Sequence, residues 1–143
     1  MNSIIINSIS GRDGFYNDDK IVHFLYTHLD KYGDEKEDIQ KCLNYVHNKG
    51  GFVLLEIQQE EIVGAVVINE TGMEDYIPEN ILVYIAVHQN QRGKGLGKIL
   101  MKNAIKHCKG NIALHVEKDN PAIFLYEKLG FENKYLEMRL TRK

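Results

Sequence analysis

At 143 residues, with 43% hydrophobic and 27% charged side chains, the chain has the make-up of one globular domain spanning residues 1–143. A net charge of −2 removes any bulk electrostatic case for nucleic-acid or membrane binding. No apolar run approaches the roughly 20 residues of a membrane span. The opening MNSIIINSIS lacks both the basic start and the long apolar core of a secretory signal, so the cytoplasm is the expected compartment.

Taken in order, the β-branched run Ile4–Ile9 predicts a first strand. A turn, GRDGFYN, follows, and Asp18 or Asp19 can cap a helix with Ile21, Leu25 and His28/Leu29 on its inner stripe. Asp34 is the expected cap of a second helix, which carries Ile39, Cys42, Leu43 and Val46 on one face and stops at Lys49-Gly50-Gly51. Phe52–Ile57 and Ile62–Ile68 read as a hairpin, with Gly64 marking a bulge or a close approach. The loop NETGMEDYIPEN is acidic, through Glu70, Glu74, Asp75 and Glu79. It is either a solvated connection or the border of a substrate entrance.

The centre of the chain is Ile81–Val87, apolar throughout as in a strand covered on both faces. It is followed by HQNQ, the glycine-rich RGKGLG, and a helix with Leu96, Ile99, Leu100, Ala104 and Cys108 on one stripe. Ile112–Glu117 is a further strand. The strand–helix–strand order predicts that it runs parallel to Ile81–Val87. Asp119-Asn120-Pro121 opens a last helix with Ala122, Leu125, Tyr126 and Leu129 inward, and Tyr135–Leu140 is expected to close the chain as strand. The resulting class is mixed α/β. Cys42 and Cys108 sit on helical stripes and read as buried hydrophobes. The six histidines have no ligand spacing, so no metal is expected.

A glycine-rich loop between a strand and a helix forms an anion site for a physical reason. The first helical N–H groups lack intrahelical partners, and the helix dipole adds positive charge there. Glycines 93, 95 and 97 let the backbone approach an anion, while Arg92, Lys94, Lys98 and Lys102 add charge. The spacing fails as a P-loop, because Gly97-Lys98 is followed by Ile99 and not Ser or Thr. A dinucleotide fingerprint is disfavoured, since the spacing reads G-x-G-x-G and too little chain follows Glu117 to complete a doubly wound sheet, although Glu117 stands about where a ribose-binding acid would. The third reading is R-x-x-G-x-G: Arg92, Gly95 and Gly97.

That pattern resembles the coenzyme A pyrophosphate loop of the GNAT superfamily of N-acetyltransferases. The resemblance extends to the preceding YIAV and to DNPAIFLYEKLGF, where Asn120, Ala122, Tyr126 and Leu129-Gly130-Phe131 stand in register. It covers the C-terminal half in sequence, and the N-terminal half in element order only. It implies a mostly antiparallel mixed sheet with one splayed parallel pair, flanked by about four helices. It also implies transfer of an acetyl group from acetyl-CoA to an amine of a small molecule, peptide or protein, without a metal. Ile85, Ala86 and Val87 would pair with the pantetheine arm. The backbone of Arg92, Gly93, Lys94, Gly95, Leu96, Gly97 and Lys98 would cradle the pyrophosphate. Asn120 and Phe124 would face the pantetheine or adenosine end.

The resemblance further gives Val87 N–H as the donor to the thioester carbonyl and Tyr126 as the acid for the leaving thiolate. Alternatively, Tyr126 is a packing aromatic that contacts the cofactor. Some relatives carry a glutamate base where Ile81 stands. Glu79 is the first substitute, ahead of Glu70, Glu117, His115 and Tyr84. The missing glutamate also leaves a non-catalytic CoA-binding or regulatory module as a second reading. The protein would act as a monomer or homodimer.

Overall fold

The computed structural model describes residues 2–142. Five strands form one sheet in sequence order: β1 (Asn2–Ile6), β2 (Gly51–Gln58), β3 (Glu61–Glu70), β4 (Asn80–Val87) and β5 (Ile112–Leu114). β1 to β4 are antiparallel, and β4 and β5 are parallel. Helices α1 (Asp18–Leu29) and α2 (Lys36–Asn48) cover one face. Helices α3 (Leu96–His107) and α4 (Ala122–Lys128) cover the other.

Alternation along the strands divides the sheet between two cores. Val53, Leu55, Val67, Tyr84 and Ala86 pack under α1 and α2, whose Ile21, Leu25, Ile39, Leu43 and Val46 are sealed from water. Leu54, Val66, Ile68 and Leu82 pack against Leu96, Leu100, Met101 and Ala104 of α3, and against Tyr126 of α4. Buried Glu56 joins three elements, accepting from Ser3 Oγ at 2.5 Å and from Asn103 Nδ2 of α3 at 3.3 Å.

Two irregularities shape the sheet. Between β2 and β3, Glu56 pairs with Gly64 and Ile57 with Ile62, leaving Val63 as an extra residue. Between β3 and β4, Val67 pairs with Tyr84 and Ile68 with Leu82, so Val83 is extra. Both Val83 and Tyr84 consequently face the first core. The β4–β5 ladder runs only over Asn80–Ile112, Ile81–Ala113 and Leu82–Leu114, and it ends at the β4 bulge. Beyond it the strands diverge. The sequence predicts a bulge or close approach at Gly64, and both occur: a Cβ there would meet Leu100 Cδ1 at 2.6 Å.

Several sequence expectations shift. β1 stops at Ile6 because the Asn7 side chain accepts from Ile9 and Ser10 N–H and folds the chain into a turn, which leaves Ile9 exposed. Asn17, not Asp18 or Asp19, caps α1 by accepting from Lys20 N–H, while Asp18 pairs with Arg12 at 2.9 Å. Asp34 does not cap α2. It accepts instead from Tyr84 Oη at 2.5 Å, and a 3-10 turn, Asp30–Tyr32, fills the connection before it. Ile99 turns outward on α3, and Met101 takes its place in the core. β4 is half-buried at alternate positions because the space beside β5 opens.

The expected closing strand Tyr135–Leu140 does not form. Alternation supplies the side-chain pattern, but a strand also needs a partner edge, and β5 offers only three residues of ladder. Tyr135, Leu136, Met138 and Leu140 stand exposed.

Leu100 is sealed from water, so it has little freedom to yield to a methyl at position 64. Gly64→Ala should cost about 1–3 kcal/mol in chemical denaturation, and adding Leu100→Val should recover part of that loss. Burial pushes the thiols of Cys42 and Cys108 up to about 12 and about 11. At pH 8 a disulfide reagent should therefore label half-buried Cys108 slowly, and Cys42 only at the rate of global unfolding.

Candidate active site

Where β4 and β5 part, a cleft of about 360 Å³ opens. Its β4 wall is Ile85, Ala86 and Val87. Its far wall is Asn120, Pro121, Ala122, Leu125 and Tyr126, and the glycine loop closes its end. The hydrogen-bond alternation of β4 fixes what this wall offers. His88 N–H donates to Val63 carbonyl at 2.8 Å, across to β3. Its neighbour Val87 must then turn its polar groups the other way, into the cleft, as must Ile85. Ala86 turns its backbone to β3 and contributes none of it to the cleft.

The loop has a free polar surface. Among the described residues the N–H groups of residues 93–98 find no backbone acceptor, and the first bond of the helix is Ile99 N–H to Gly95 carbonyl at 3.2 Å. Gly93 and Gly95 lie at φ +79° and +81°, the left-handed region, and a Cβ on either would meet open space. Glycine is required there for conformation, and no neighbouring atom crowds either position. Gly97 has ordinary φ and faces the cleft, where a Cβ would lie 3.5 Å from Leu125 Cδ2 and 3.8 Å from Val87 Cγ2. These features fit a pyrophosphate: unpaired N–H donors, a helix dipole, and Lys94 and Lys98 exposed beside them.

Arg92 does something the sequence does not reveal. Its Nη2 donates to the His28 carbonyl at the end of α1 at 2.6 Å, and its Nε donates to Val87 carbonyl at 3.3 Å. The guanidinium thus clamps α1 to β4. It also occupies the Val87 carbonyl and leaves that residue's N–H as its free group.

Tyr126 is 7% exposed and lines the cleft. Burial raises its hydroxyl above the ordinary value, so it stays protonated. Its ring lies 5.9 Å from Phe131, whose N–H donates to the Tyr126 carbonyl. Asn120 lines the cleft and spends its Oδ1 on Ala122 N–H at 2.9 Å. Phe124 is 68% exposed on the outer side of α4 and is not part of the wall.

Glu79 is not brought to the cleft. Its oxygens accept from Asn111 N–H at 2.6 Å and Asp75 N–H at 3.1 Å. These backbone bonds hold its carboxyl below the usual range. It precedes β4 by one residue and Val87 by eight, about 26 Å of extended chain. Glu79 fastens the 70–79 loop to the start of β5. Tyr84 is directed into the first core and bound to Asp34.

The N-terminal half also reaches the site. His28, Leu29, Asp30 and Tyr32 form the side of the cleft opposite α3 and α4. In the sequence the helical stripe puts His28 on the inner face, and nothing local marks Leu29 or Asp30 as cleft residues. His28 stacks on His88 with ring centroids 4.2 Å apart. Its Nδ1 accepts from Gln89 N–H at 3.3 Å, so the neutral ring carries its proton on Nε2. Burial, the neighbouring His88 and Arg92 lower its pKa and keep it neutral. A second depression of about 640 Å³ adjoins this segment, lined by Tyr26, Thr27, Asp30, Gly33, Asp34, Glu35 and Asp38. Asp30 lines both spaces. Among the described residues no group of three His, Cys, Asp or Glu side chains is arranged to hold a metal, and no helix is long and apolar enough to cross a membrane.

Comparison with known proteins agrees with this geometry. Over 100 residues, 68% of its length, the chain is 30% identical to the mouse cysteine-rich protein 2-binding protein and 29% identical to the human one. It spans only 12% of the length of those relatives. In structure it is similar to a transcriptional regulator from Bacillus halodurans (TM-score 0.70, 21% identity, 99% of this chain and 100% of that one). It is also similar to an aminoglycoside 6'-N-acetyltransferase from Acinetobacter haemolyticus (TM-score 0.70, 16% identity, 100% and 99%). A ribosomal-protein-alanine N-acetyltransferase from Brucella melitensis shares the fold (TM-score 0.64, 14% identity, 99% and 100%). The model of the acetyltransferase (GNAT) family matches residues 15–131, so the chain belongs to that family.

Proposed function

We propose that the protein is an N-acetyltransferase that moves an acetyl group from acetyl-CoA to a cationic primary amine. The observation that carries this reading is the coincidence of two unpaired backbones. The N–H groups of residues 93–98 are free, and they stand beside the β4 edge that β5 abandons after Leu82. One ligand with a pyrophosphate and an amide-bearing arm satisfies both.

Acetyl-CoA, when bound, supplies an activated acetyl thioester. The loop N–H groups, with Lys94 and Lys98, would hold its pyrophosphate. The polar groups of Ile85 would pair with the arm in the manner of an added strand. Val87 N–H would polarise the thioester carbonyl, its own carbonyl already engaged by Arg92. Tyr126, held protonated by burial, would deliver its proton to the departing thiolate.

The acceptor must react as a free amine, although alkylammonium ions have pKa values near about 10.4. We assign the receiving role to Asp30, the carboxylate common to the cleft and the acidic depression. It would attract the ammonium form and draw its proton away through water. Among the residues lining the cleft the carboxylate is Asp30, and Asp34, Glu35 and Asp38 stand with it around the adjoining depression. Amine acceptors also feature in the names of several fold neighbours, which include aminoglycoside acetyltransferases.

A non-catalytic CoA-binding module is the second reading, favoured by Ile81, which cannot act as a base where some relatives carry glutamate. Calorimetric titration with CoA should give micromolar binding, and its absence at high micromolar ligand would sink both readings. Thiol release against a panel of cationic amines separates them. In the enzyme, Tyr126→Phe should cut turnover roughly a hundredfold with little change in CoA affinity. Equal losses in both would reduce Tyr126 to a packing residue.

A further inference from the structure

We propose that residues His28–Tyr32 form a strap across the acceptor side of the cleft, one that shields the acetyl thioester from water and must open for the acceptor. The inference rests on the acetyl-CoA reading and extends it to a set of positioning residues outside the cofactor loop.

The sheet gap between β4 and β5 has two sides. α3 and α4 stand on one, with the glycine loop at the helix start. The end of α1 stands on the other, because α1 belongs to the first core. From there the chain crosses the gap. At the β4 wall His28 is held by three contacts: Arg92 Nη2 to its carbonyl at 2.6 Å, Gln89 N–H to its Nδ1 at 3.3 Å, and the ring stack on His88. At the α4 wall the segment is held by Asp119, in the loop between β5 and α4. Tyr32 Oη donates to the Asp119 carbonyl at 3.1 Å, and Lys31 Nζ meets its carboxylate at 3.2 Å. Between these anchors Leu29 and Asp30 line the cleft beneath.

The two anchors differ in strength. The β4 anchor has three contacts, of which the His28–His88 ring pair is half-buried and the two hydrogen bonds are exposed. The Asp119 anchor is exposed, with both charged side chains 66% accessible, and exposed pairs of this kind are weak and screened by salt. Opening should therefore start at the Asp119 end. A hinge is available: Asp30 holds φ +57° and ψ −133°, a strained conformation for a residue with a Cβ, and swinging the strap would relax it. Gly33 ends the turn tightly, since a Cβ there would lie 2.8 Å from Leu29 Cβ. Asp30 also lines the outer acidic depression, so the place where the strap yields is the place where a cationic acceptor would arrive.

A closed strap denies water the thioester until an acceptor is present. Hydrolysis is the reaction that it suppresses. Water oxygen attacks the acetyl carbonyl carbon, the C–S bond breaks, and acetate, a proton and the CoA thiol leave.

The test needs no knowledge of the acceptor. Acetyl-CoA hydrolysis by the unmutated chain and by Lys31→Met/Tyr32→Phe is followed by thiol release, with acetyl-CoA affinity measured separately by calorimetry. The double variant should hydrolyse about three to ten times faster at saturating acetyl-CoA, with unchanged affinity. Raising salt from about 0.05 M to about 0.5 M should speed hydrolysis by the unmutated chain and leave Lys31→Met largely insensitive. Unchanged hydrolysis in a folded, binding-competent double variant would overturn the strap. So would a loss of affinity that accounts for the whole change, since these residues would then belong to the cofactor site. Failure of the unmutated chain to bind acetyl-CoA would overturn the reading beneath it, in a measurement distinct from the hydrolysis rates.

Discussion

The parting of β4 from β5 is the constraint on which the site depends. A parallel pair would ordinarily satisfy the β4 edge along its length, and buried backbone groups rarely go unpaired. Here one extra residue, Val83, ends the ladder after three pairs. The polar groups of Ile85 and the N–H of Val87 then face an apolar-walled gap where β5 no longer pairs with them, while Arg92 takes the Val87 carbonyl. Leaving such groups unmet costs free energy, and the amides of the proposed cofactor's arm would meet them. The loop that follows adds a second set of N–H groups, which would take its pyrophosphate. The two lie one after the other along the chain, so one extended molecule would meet both.

Much of this was legible in the sequence, and for identifiable reasons. The glycine spacing at 93, 95 and 97 reflects conformation directly: two of the three adopt left-handed φ, which few other residues tolerate. The strand–helix–strand order required a parallel pair, and Gly64 flagged a close approach that turned out to be Leu100. Local rules carried these because the cause and the effect sit within a few residues of each other.

What the sequence hid was tertiary. Arg92 lies in the loop motif, yet its side chain turns back to the end of α1, 64 residues earlier in the chain. Glu79 has the chemistry of a base and sits near the central strand, but two backbone amides claim it at the wrong end of β4. His28, Asp30 and Tyr32 reach the cleft only because the first core places α1 over the gap. Tyr135–Leu140 shows the converse failure. Its alternation is genuine, but a strand is a relation between two chains of atoms, and local pattern supplies only one of them.

The alternation of β4 also bears on how such a protein can diverge. Side chains at 84 and 86 serve one core and those at 85 and 87 the other, while the groups offered to the ligand belong to the main chain. Every amino acid except proline brings the same N–H and carbonyl to those positions. Mutation can therefore rewrite both cores around the strand without erasing the edge that the proposed cofactor would read. A lineage built this way can lose nearly all trace of kinship in its letters and keep that edge.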